Sequence, residues 1–164
     1  MKTKRRFKPS YLLMGAGILA VAAIIAFFAF IFYYRSSEQK FRYGLDNAVI
    51  YGRVNECIRG EYKGESMALS DFNANSIYKQ MLLGHRQFFV SAKKTDEECV
   101  TVDFGGGYLL RIWPVDKDNM VYISFQWEGK NAEFIMNDIN FAYISRAVSP
   151  EGIDNPNRPW EDAG

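Results

Sequence analysis

The chain is poor in the residues that most enzymatic and metal chemistry needs. It has one histidine, His85, and two cysteines, Cys57 and Cys99, in 164 residues. A single imidazole cannot furnish a multi-histidine metal site, and two cysteines without C-x-x-C spacing do not outline a structural zinc site. No acid occurs before Glu38. The amino-terminal apolar segment is therefore unlike the helix of a type IV pilin, which carries an acid early. No cysteine follows that segment closely, which excludes a lipoprotein. No nucleophile–base pair or metal-ligand set emerges, so the chain is expected to be non-enzymatic and to hold no cofactor.

What is present is distributed unevenly. Residues 1–35 carry six of the 20 Lys and Arg, and all 19 acids lie beyond them, so the rest of the chain has an excess of five acids. A mildly acidic main domain argues against nucleic acid as the partner, because phosphate binding needs a basic face.

Tyr11 to Tyr34 reads YLLMGAGILAVAAIIAFFAFIFYY, 24 residues without a charge. About 20 apolar residues at ~1.5 Å rise cross the hydrocarbon core of a bilayer. The run outlasts a signal-peptide core and ends in FIFYYRSS, without the small-residue cleavage pattern, so an uncleaved anchor is expected. Tyr11, Tyr33 and Tyr34 mark its interfacial ends. Lys2, Lys4, Arg5, Arg6 and Lys8 outweigh Arg35, Lys40 and Arg42 beyond it, which places the amino terminus in the cytoplasm and the main domain outside. Within the anchor, Ala22, Ala26 and Ala29 form a small-residue stripe that would let another helix approach closely.

The expected organisation is a basic cytoplasmic segment (1–10), a transmembrane anchor in contact with lipid (11–34), a linker (35–46), an extracytoplasmic domain (47–148) and a disordered tail (149–164). Residues 35–46 are polar, with a short helical continuation of the anchor as one option. NAVIYGRVNECI reads as a strand or two half-strands, and YKGESMALS as a short second one. Ser70 or Asp71 caps a helix whose apolar face is Ala74, Ile77, Tyr78, Met81 and Leu82, stopped by Gly84. Alternation then marks RQFFVSAKK, CVTVDF, YLLRIWPV, MVYISFQW and AEFIM as strands, with FAYISRAV as the last. The fold class is α+β: one main helix packed on a mostly antiparallel sheet of five to seven strands.

Two motifs invite chemistry and have plainer explanations. DFGGGY (103–108) lacks the glycine loop and lysine of a kinase, and a strand follows it where a phosphate loop needs a helix. Three glycines between two strand patterns predict a bend. DKDN (116–119) supplies only the first ligands of a calcium loop, with Met120 and Val121 where an oxygen ligand and glycine belong, so it too predicts a turn.

Outside the cytoplasm, Cys57 and Cys99 form a candidate disulfide. Tyr108, Trp113, Tyr122, Trp127 and Tyr143 lie on predicted strands and form a candidate interface. These features point to a membrane-anchored interaction module with a protein partner: an accessory subunit of an envelope or secretion assembly, or a tethered inhibitor. An envelope enzyme using carboxylates, or a module binding a sugar polymer, is the alternative.

Overall fold

A computed structural model describes residues 9–88, 90, 92–95 and 98–150, with side chains from Met14 onward. The element order is α1 (Pro9–Val54), β1 (Arg59–Tyr62), β2 (Glu65–Ala68), α2 (Asp71–Leu83), β3 (His85–Gln87), β4 (Val100–Gly105), β5 (Tyr108–Pro114), β6 (Met120–Trp127), β7 (Lys130–Asn137) and α3 (Phe141–Ala147). The chain divides into two compact units, residues 1–40 and 41–164.

In the first unit, α1 from Met14 onward presents large apolar side chains outward, among them Leu19, Ile25, Phe28 and Phe32. It is long and apolar enough to cross a membrane. Ala22, Ala26 and Ala29 are all exposed on it. The side chain of Tyr11 lies outside those described.

The second unit begins inside α1. Residues 35–46 are helical throughout, and the helix continues to Val54, where the sequence pattern predicts a strand. The spacing explains the correction. Phe41, Leu45, Ala48 and Val49 recur at helical intervals, and all four are buried. Two glycines weaken the local helix signal by ~1 kcal/mol each, but both are needed for close packing. A Cβ at Gly44 would meet the Phe125 and Trp127 rings at 3.0 Å, and one at Gly52 would meet Ile58 at 2.5 Å. Residues 41–54 therefore belong to the folded domain and are not a linker.

The sheet has seven strands in the order β2-β1-β4-β5-β6-β7-β3, and the pairings are antiparallel. Strict alternation decides its faces. Val100, Val102 and Phe104, Leu110 and Ile112, Val121, Ile123, Phe125 and Trp127, and Phe134 and Met136 all point to one side and are buried. The second-unit part of α1, together with α2 and α3, covers that side through Leu45, Ile77, Met81 and Ile144. Phe41 sits edge-on to Phe125 and Phe134, with ring centroids 5.6 and 4.8 Å away.

The α2 reading is met: the Ser70 hydroxyl accepts from Asn73 N–H at 3.2 Å, and Gly84 ends the helix. Two other readings are corrected. Of RQFFVSAKK, Arg86 and Gln87 belong to the short edge strand β3 (His85–Gln87), while Phe89 and Ser91 lie outside the described residues. FAYISRAV is not a strand but α3, because Asn140 caps it by accepting from Tyr143 N–H at 3.0 Å while Phe141, Ile144 and Ala147 fall on one helical face. Three helical segments thus cover the sheet where one main helix was expected. Ser149 and Pro150 follow α3. The remainder of the predicted tail, residues 151–164, lies outside the described residues.

Candidate functional site

DFGGGY forms the tight connection between β4 and β5. Gly105, Gly106 and Gly107 have φ of 77°, 60° and 84°, in the left-handed region that side chains disfavour. The Asp103 carboxylate accepts from Gly105 N–H at 2.8 Å, so the acid of the motif shapes its own turn. A Cβ on Gly106 would lie 2.8 Å from the Tyr51 ring, so the turn also needs glycine for space. DKDN is likewise a turn: Asp116 accepts from the backbone N–H of Lys93 at 3.2 Å, and Asn119 has φ of 55°. Among the described residues, no group of three or more His, Cys, Asp or Glu is placed to hold a metal ion. His85 is exposed on edge strand β3.

The candidate disulfide is not formed. Both cysteines are free. Cys57 Sγ donates to the Phe104 carbonyl at 3.1 Å, at the end of β4, whereas Cys99 precedes Val100 at its start. Five residues of strand separate Cys99 from Phe104, roughly 16 Å at ~3.3 Å per residue, and a disulfide needs Cα atoms within about 7 Å. Burial pushes the Cys99 thiol above its ordinary range, and a contact to Thr101 opposes that only in part.

The five aromatic candidates do not share a surface. Trp127 lies on the helix-covered face, buried and stacked on Phe125 with centroids 5.1 Å apart. Tyr108 also points to that side, where its ring lies 5.9 Å from Tyr51. Tyr143 is on α3 rather than on a strand. Only Trp113 and Tyr122 meet on the opposite face. They are direct cross-strand partners in β5 and β6, with centroids 5.8 Å apart and planes at 72°.

Among the described residues, no helix covers this opposite face. Ile135, half-buried, is the β7 partner of Tyr122; Leu109, also half-buried, lies two same-face positions along β5 from Trp113; and Arg111, Gln126 and Glu133 on this face are exposed. Tyr122 donates its hydroxyl to Glu133 at 2.5 Å. That hydrogen bond, helped by partial burial, pushes the phenol up to about 12. The connection from β3 to β4 reaches the face at one described point: Lys94, bridged to Val115, sets its ammonium 4.8 Å from the Trp113 ring and 5.4 Å from that of Tyr122. The sequence pattern misses Lys94, Leu109 and Ile135 as members of this surface. The phase of β5 would have found Leu109, and the phase of β7 Ile135. Lys94 arrives from a loop and has no such signal.

Asp103 and Glu133, two exposed acids on this face, are not neighbours. Asp103 and Glu133 lie on β4 and β7, with β5 and β6 between them. Three strand spacings of about 4.8 Å put them roughly 14 Å apart, beyond the ~5–10 Å range that paired-carboxylate chemistry uses. No protein-family model, no curated protein and no solved structure matches the chain.

Proposed function

We propose that this protein is a single-pass, membrane-anchored interaction module. Its amino terminus is cytoplasmic and its α+β domain lies outside the cytoplasm. It acts without catalysis, as an accessory subunit of an envelope or secretion assembly or as a tethered inhibitor. The anchor assignment rests on the uncharged run and its one-sided basic flank.

The interaction assignment is carried by one observation: among the described residues no helix covers one face of the seven-stranded sheet, and there Trp113, Tyr122 and Ile135 adjoin across β5, β6 and β7, with Leu109 further along β5 and charges of both signs around them. An apolar, aromatic centre with a polar rim is the anatomy of a protein interface. A flat sugar platform needs rings lying coplanar in a row, whereas Trp113 and Tyr122 stand edge to face and carry a lysine over them. The occupant proposed for this face is therefore a folded protein with an apolar patch.

A photo-crosslinking residue in place of Leu109 or Gln126, used in intact cells and followed by mass spectrometry, tests this reading. The expected product is one defined protein joined to the sheet face. Capture of glycan alone, or no adduct from a correctly inserted chain, overturns it.

A further inference from the structure

The part of α1 that belongs to the folded domain has a second apolar stripe. Its inner side, Phe41, Leu45, Ala48 and Val49, is buried against the sheet. On the outer side Tyr43, Ile50 and Val54 are 65%, 61% and 78% exposed. Outward-facing helix positions are ordinarily polar, and three large apolar groups on the outer line of a helix already seated on a core need a reason.

Their spacing supplies one. Tyr43, Asn47, Ile50 and Val54 alternate intervals of four and three, the 3.5-residue period of a helix that packs along another helix. The same alternation, counted back along the sequence, falls on Lys40, Ser36, Tyr33, Ala29, Ala26 and Ala22. The stripe of small residues is thus the early portion of one periodic pattern. Lys40 is its one charged member, and a lysine stem is long enough to turn its ammonium away from an apolar seam.

We propose that α1 pairs two copies of this chain in parallel through Tyr43, Asn47, Ile50 and Val54. The proposal rests on the membrane-anchor reading, since anchors inserted in the same direction hold two copies parallel and at equal depth. Equal residue numbers then meet. In that register Asn47 faces its own counterpart, and a side-chain amide both donates and accepts. A polar asparagine at such a position specifies a paired register, as a hydrophobic residue there does not. The flanking Asp46 carboxylate is held by the Tyr78 hydroxyl of α2, so the charges that meet in this register are the two Lys40 ammonium groups, which their stems let turn outward. Confinement of both copies to one membrane raises their effective concentration, which compensates for a short seam.

The test uses the full chain in native membranes, with Cys57 and Cys99 replaced by serine. Single cysteines are placed at Tyr43, Asn47, Ile50 and Val54, with Lys79 on α2 as an exposed position off the seam. Oxidative crosslinking is expected to give a dimer of twice the chain mass at the four seam positions and not at Lys79→Cys. Adding Ile50→Asp is expected to weaken pairing by about tenfold or more, because it buries an unpaired carboxylate, while Ile50→Leu preserves it. Uniform crosslinking at all positions, none at any, or a product containing a different protein overturns the pairing. Alkaline extraction of the same membranes reads the anchor separately. A chain released as soluble protein removes the anchor reading, and seam-specific crosslinks in that fraction would leave pairing standing without it.

Discussion

The two faces of the sheet are made by the same strands and differ in what covers them. On the helix side the alternating residues are nearly all Val, Ile, Leu and Phe, and they are excluded from water. On the open side the same strands place Arg111, Trp113, Tyr122, Ser124, Gln126 and Glu133. The first face has the composition of a core. The second mixes apolar, aromatic and charged groups, as surfaces that meet other proteins do. A period of two produces both at once, so one stretch such as MVYISFQW carries the core on Val121, Ile123, Phe125 and Trp127 and the proposed interface on Tyr122.

The largest contrast between the faces is thermodynamic. Phe125 is fully buried among Phe41 and Trp127. Phe125→Ala is expected to cost about 3–5 kcal/mol, read as a lowered urea midpoint. A cost below ~1 kcal/mol would mean that the helices do not seal this face.

Gly106→Ala tests the same face at its rim. It puts a methyl group against Tyr51 at a left-handed φ and is expected to cost about 1–3 kcal/mol. An unchanged midpoint would show that the β4–β5 turn relaxes away from α1.

Trp113→Ala, on the open face, removes an edge-to-face pair and a cation–π contact worth about 1–2 kcal/mol together. It is expected to abolish partner crosslinking from the sheet face while the domain stays folded by circular dichroism. Retained crosslinking would move the interface elsewhere.

A finer distinction is the Tyr122 phenol. With its folded value at about 12 against an ordinary value near 10, the bond to Glu133 contributes stability that is fully present below pH 10. That contribution is lost as pH rises through about 12. Tyr78 and Tyr108 are also raised, so absorbance titration is expected to show late phenols with Tyr122 among them, and Glu133→Gln to return that one toward 10.

The smallest effect concerns the thiols. Both are expected to alkylate in denaturant without prior reduction, and in the folded protein Cys99 is expected to react slowly at neutral pH, since burial raises its pKa. An alkylation count that rises only after reduction would restore the disulfide.

The legible parts of the fold were those with strict periodicity and local punctuation: β4 to β7, the DFGGGY and DKDN turns, and α2 with its Ser70 cap and Gly84 stop. The misread parts were helices whose residues suit strands. Residues 47–54 contain Val49, Ile50 and Val54, β-branched, along with Gly52, yet they are helical because Ala48, Val49 and Gly52 fit a sheet already built. FAYISRAV is short enough to satisfy either period, and Asn140 together with burial of Ile144 decides for helix. The candidate site was legible only in part. Phase alone separates Tyr122 from its buried neighbours, but the pairing register brings it to Trp113, and a loop brings Lys94 to both.

By itself the sequence determined the uncharged run, the side on which its basic flank lies, the α+β class and the in–out phase of the central strands. Those are local properties, set by charge, length and a period of two or 3.6 residues. Only the tertiary structure decided that α1 runs through residues 35–54, that Cys57 and Cys99 stand at opposite ends of β4, and which aromatics share a face. Each of those depends on which distant segments become neighbours, and that follows from how three helical segments and seven strands jointly exclude water.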